Sequence, residues 1–94
     1  MIRSFADKRT ARLFEGEPIK GVSRDLRRLV QRKLEQLHAV AEIDALRASP
    51  GNRLEKLRGD RAGQWSIRVN DQWRICFAWR DGDAFNVWFG DYHG

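Results

Sequence analysis

Cysteine is nearly absent: Cys76 is the only one in 94 residues, so no internal disulfide can close and no paired thiols are available for a structural zinc. The two histidines, His38 and His93, lie far apart in the chain, and neither a metal nor any other cofactor is expected. There are two prolines and no repeat, linker or low-complexity tract. A chain of this length supports one core, so a single domain over residues 1–94 is expected. No apolar run approaches the roughly 18 to 20 residues of a membrane helix. Met1 to Lys8 also lacks the apolar stretch of a secretory signal. The expectation is a cytoplasmic protein without a membrane partner, held together by packing alone.

Hydrophobic residues make up 41% of the chain, four of them Trp, and charged residues 33%, which is a globular balance rather than a disordered one. Eighteen Lys and Arg against thirteen Asp and Glu give a formal charge of +5. That excess favours polyanions or acidic proteins as partners without choosing between them.

Ile2 to Ala6 reads as a short strand. Asp7 then offers an N-cap to a helix carrying Ala11, Leu13 and Phe14, which Gly16 and Pro18 stop. From Ser23 to about Ala41, apolar residues at Leu26, Leu29, Val30, Leu34 and Leu37 follow the spacing of one helical face. The other face carries Arg24, Arg27, Arg28, Arg32 and Lys33, either a surface for RNA phosphates or a solvated face. Ile43 to Ala48 adds a helical turn, and Ser49 to Asn52 marks the change from helix to strand.

Beyond that loop the period becomes two. Trp65, Ile67 and Val69, then Trp73, Ile75, Phe77 and Trp79, then Phe85, Val87 and Phe89 alternate with other residues, giving three strands. Asn70 to Gln72 and Asp81 to Asp83 are polar turns that join them as antiparallel hairpins. Arg53 to Arg58 reads as a bulged or edge strand.

Register follows from the apolar pattern, because opposed residues share a face. A three-residue loop at Asn70 to Gln72 sets Val69 against Trp73, Ile67 against Ile75 and, on the other face, Arg68 against Arg74. At the second turn the same reasoning sets Trp79 against Phe85, Phe77 against Val87, Cys76 against Trp88 and Arg74 against Gly90. Arg68, Arg74 and Gly90 then form one row, and like charges facing each other disfavour folding. An anion held between the arginines would account for them. Asp91, Tyr92 and His93 follow at the edge of this row, either as a site of proton chemistry or as a chain end without a role. Cys76, Ala78 and Trp88 on the same face are either covered by the 53–58 segment and loops or part of a binding surface.

The runs Asn52-Arg-Leu-Glu-Lys-Leu-Arg-Gly-Asp60, Trp65-Ser-Ile-Arg-Val-Asn-Asp-Gln-Trp-Arg-Ile-Cys-Phe77 and Asp91-Tyr-His93 together resemble the plasmid-maintenance killer proteins called HigB, of the RelE/ParE toxin superfamily. The resemblance covers essentially the whole chain. It implies an α+β, RelE-like fold with two N-terminal helices packed on a mostly antiparallel sheet. The implied activity is that of a type II toxin, a ribosome-dependent endoribonuclease that cuts messenger RNA and arrests translation. The implied partners are a HigA-type helix-turn-helix antitoxin, the ribosome and its messenger RNA, with operator DNA reached only through the antitoxin.

By the same resemblance the site residues are Arg58, Arg74, Asp91, Tyr92 and His93; Arg68, from the register row, and Lys56, beside Glu55, are added as RNA contacts. Some relatives have a histidine three positions before the Arg58 position, where this chain has Glu55. The implied chemistry needs no metal: the RNA 2′-hydroxyl attacks the adjacent phosphorus, the arginines stabilise the charge that develops, and His93 moves a proton. Two other classes stand beside it. One is a ParE-like toxin that binds a protein such as DNA gyrase without cutting RNA, against which the Asp91-Tyr92-His93 set speaks. The other is a nonenzymatic RNA-binding module, which would be expected to show clustered exposed aromatics.

Overall fold

The computed structural model describes residues 1–92. Two helices come first: α1 (Lys8–Phe14) and α2 (Arg24–Ala39). Both start as their sequences indicate. The Asp7 carboxylate accepts from the Thr10 amide and the Ser23 hydroxyl from the Leu26 amide, satisfying amides that have no partner within the helix. Of the apolar stripe on α2, Val30, Leu34 and Leu37 are fully buried, and Leu26 and Leu29 pack against the core they enter. Ile43–Ala48 and Pro50–Asn52 form 3-10 turns. Asn52, the last residue of the second turn, is buried, giving its amide to Gln36 and Leu46 and taking the Lys33 ammonium.

Four strands then form one antiparallel sheet in chain order: β1 (Glu55–Lys56), β2 (Gln64–Arg68), β3 (Arg74–Arg80) and β4 (Asp83–Gly90). Ile67, Val69, Ile75, Phe77, Val87 and Phe89 face the helices and share one core with Leu13, Val30, Leu34 and Leu37. The 53–58 segment is an edge strand, as expected, but only Glu55 and Lys56 pair. The Ile2 to Ala6 segment runs parallel along β4 through bridges Ile2 to Ala84 and Phe5 to Val87.

The first hairpin has the expected register. Arg68 lies opposite Arg74 and Ile67 opposite Ile75, while the Val69 amide donates to the Trp73 carbonyl at 2.9 Å. Asn70 holds the three-residue loop, its side-chain oxygen accepting from the Gln72 and Trp73 amides at 2.9 and 2.8 Å. Replacing it removes both acceptors at once. Asn70→Ala is therefore expected to lower the unfolding free energy by about 1 kcal/mol, measured by urea denaturation with an unchanged m-value.

The second hairpin departs from the expected register. Arg80 pairs with Asp83 and Trp79 with Ala84, so the connection is the two-residue turn Asp81-Gly82, with φ of 51° and 83°. Those angles give the turn that matches strand twist, and Asp-Gly is a favoured sequence for it. The one-residue offset is absorbed where Asn86, at φ 52°, and Val87 together stand against Phe77. Beyond this bulge Cys76 opposes Trp88 and Arg74 opposes Gly90, as expected. Phe85 consequently leaves the core and lies beside the Arg80 guanidinium, 4.4 Å from its ring centroid, while Ala84 takes a core position.

Candidate functional site

On the face of the sheet turned away from the helices, Ser66 and Cys76 are fully buried. Burial pushes the Cys76 thiol above its ordinary pKa, more than the nearby Arg61 and Arg74 lower it. It is thus held as a neutral, apolar filler. Leu57 is buried but is not part of the main core, and Trp88 is half-buried beneath Arg61. Of the two readings of this face, loop cover is therefore the one observed for Cys76 and Trp88.

Arg74 reaches across β2. One of its terminal nitrogens donates to the Ser66 hydroxyl at 3.3 Å and the other stands 3.8 Å from a carboxylate oxygen of Glu55, which is half exposed. Arg68, although directly opposite Arg74, has its own carboxylate at Asp71. It also acts on Lys33, whose pKa falls chiefly through burial and then through Arg32 and Arg68. The row of two arginines exists, but each guanidinium has a carboxylate within the chain, so the fold does not require an anion between them.

A cleft of about 690 Å³ opens beside Arg74, lined by Glu55, Lys56, Leu57, Arg58, Gly59 and Tyr92. The edge strand supplies its wall: Lys56 is the last paired residue, its ammonium 5.9 Å from the Trp65 ring centroid. Arg58 is exposed and heads the 3-10 turn Gly59–Arg61. Asp91 accepts from the Gln72 side chain at 3.4 Å, which ties the segment after β4 to the first hairpin loop.

Of the residues expected at the site, the cleft brings together Lys56, Arg58 and Tyr92, with Arg74 joined to it through Glu55. Asp91 lies beside Tyr92 in sequence, Arg68 is not among the cleft's lining residues, and His93 falls outside the described residues. Among the described residues no group of three His, Cys, Asp or Glu side chains is placed to hold a metal ion.

Three further residues belong to this arrangement. Glu55 registered in the sequence only as a replacement for histidine, and its tie to Arg74 depends on the pairing of β1. Ser66 shares a face with Arg74 and was accessible by register. Arg61 carried no sequence signal, because the turn that places it has no pattern. Chemically, the cleft offers guanidinium and ammonium groups for an anion, one carboxylate that can accept a proton, and an aromatic ring for stacking.

The family model for the RelE-like toxin of the type II toxin–antitoxin system HigB matches residues 3–93. The protein named Endoribonuclease HigB from Proteus vulgaris is 39% identical over 94 residues, covering 99% of this chain and 100% of the relative. Toxin HigB-1 of Vibrio cholerae is 51% identical over 57 residues, 61% of this chain and 60% of that protein. Among solved structures, the YoeB–YefM complex from Staphylococcus aureus includes a chain with the same fold, at a TM-score of 0.61 and 15% identity, covering 100% of this chain and 99% of that one.

Proposed function

The chain belongs to the RelE-like HigB toxins of type II toxin–antitoxin systems, and from that premise we propose that it is an endoribonuclease that cuts messenger RNA on the ribosome. The observation that carries the reading is the cleft in which Lys56, Arg58 and Tyr92 meet, with Arg74 anchored at its side by Glu55 and Ser66.

Cleavage uses the RNA's own 2′-hydroxyl. It attacks the adjacent phosphorus, and the bond to the 5′-oxygen of the next nucleotide breaks, so one proton must leave the nucleophile and one must reach the leaving oxygen. The phosphorane between these events carries extra negative charge. Arg74 and Arg58 stabilise it, since guanidiniums stay protonated and bind phosphate oxygens through paired donors. His93 moves a proton near neutral pH, Asp91 orients it, and Tyr92 stacks on a base. Lys56 and Arg68 hold the neighbouring backbone. A HigA-type helix-turn-helix antitoxin restrains the toxin, and operator DNA is reached only through that antitoxin. The site of action is the cytoplasm. No described helix is long and apolar enough to cross a membrane.

The test is to induce the toxin without an antitoxin and map the 5′ ends of cellular transcripts. New ends inside translated frames are expected, and both Arg74→Ala and His93→Ala should remove them. Growth arrest with intact transcripts would overturn the nuclease reading in favour of a ParE-like toxin that binds a protein target.

A further inference from the structure

Arg61 joins three parts of the molecule. It ends the Gly59–Arg61 turn that begins directly after Arg58, and one of its terminal nitrogens donates to the Gln64 side chain at the start of β2, at 3.3 Å. Its guanidinium lies 4.3 Å from the Trp88 ring centroid and 5.4 Å from that of Tyr92. The Trp88 indole occupies the space where a side chain on Gly90 would project. The ring of Tyr92 lies beyond β4, past the last strand pairing at Gly90, and yet lines the cleft. No backbone ladder holds it there. A cation shared between two rings can, and a planar guanidinium does so better than an ammonium.

We propose that Arg61 is a positioning residue for cleavage, holding the Tyr92 ring at the wall of the cleft by clamping it to Trp88. The inference rests on the nuclease reading for its consequence, but not for the contact itself. Arg61 does not line the cleft, so its influence on substrate runs through the tyrosine.

Tyr92 is the only tyrosine in the chain, so protein labelled with 3-fluorotyrosine gives one fluorine resonance that reports this ring alone. Arg61→Met is expected to move that resonance toward the position of a solvent-exposed tyrosine, with a melting temperature near the wild type's, while Arg61→Lys moves it less. In ribosome-dependent cleavage, Arg61→Met should cost about tenfold in kcat, the scale of two partly exposed cation–π contacts, with KM little changed and partial rescue by Arg61→Lys. In a Tyr92→Ala background the same substitution should cost less than about twofold, because residues that act as a unit are not additive. An unmoved resonance would overturn the clamp. An equal kcat loss in both backgrounds would overturn the positioning role, since Arg61 would then act without Tyr92. If the unmutated toxin cut no RNA, the nuclease reading would fail alone, and the resonance would still decide the contact.

Discussion

Arg74→Ala is expected to reduce ribosome-dependent cleavage by about 10² to 10³-fold, the cost of removing one preorganised donor from a developing oxyanion. The residue is suited to that role by its support. Its side chain is 21% exposed, one terminal nitrogen is fixed on buried Ser66 and another faces Glu55, so the guanidinium is oriented before substrate arrives. Thermal stability should change little, since a partly exposed ion pair at 3.8 Å contributes at most about 1 kcal/mol. Arg74→Lys should recover only part of the loss, because an ammonium cannot hold Ser66 and grip a phosphate with paired donors.

Removing the arginine also leaves the Glu55 carboxylate unneutralised in the cleft, where it repels phosphate. Arg74→Ala combined with Glu55→Gln should therefore be more active than Arg74→Ala alone. Single-turnover cleavage with saturating toxin reads all three variants. A loss below about fivefold in Arg74→Ala would exclude the charge role assigned to it, on the scale of a single oxyanion donor.

The sequence carried this arginine's position in the sheet but not its partners, for a physical reason. In the first hairpin, burial of one face admits a single register, which set Arg74 opposite Arg68, and the second turn set it opposite Gly90, as the structure has both pairs. The second hairpin was legible only as far as Cys76 and Trp88. Asp81-Gly82 closes in two residues and Asn86 restores the phase; alternation counted through Phe85 cannot register a compensating bulge, which changes no residue type. Helix α2 was legible because its apolar stripe repeats over 16 residues. The cleft wall was not, because two paired residues and a 3-10 turn have no period to read. The proximity of Arg61 to Trp88 and Tyr92 is a tertiary fact of that kind. The family resemblance supplied Arg58, which pattern alone left in an irregular segment.

Gly90→Ala is the substitution that should most damage stability and activity together. Gly90 is buried opposite Arg74, and a Cβ there would lie 2.1 Å from Trp88 Cζ2 and 2.3 Å from Cη2. The obstacle is a rigid ring, itself beneath Arg61, so neither a small rotation nor a flexible tip can relieve the overlap. Overpacking of this kind costs about 1–3 kcal/mol, which in a domain of this size lowers Tm by about 4–8 °C for each kcal/mol. If the indole instead swings out, Arg61 loses its nearer ring and Tyr92 its clamp, so cleavage falls beyond what the unfolded fraction explains. The two costs separate in Gly90→Ala with Trp88→Ala. Removing the ring abolishes the steric conflict, so the double variant should be more stable than the sum of the two single effects requires, while cleavage stays low because Arg61 remains without Trp88. Additive stability losses would show that the glycine is needed for some reason other than the indole lying over it.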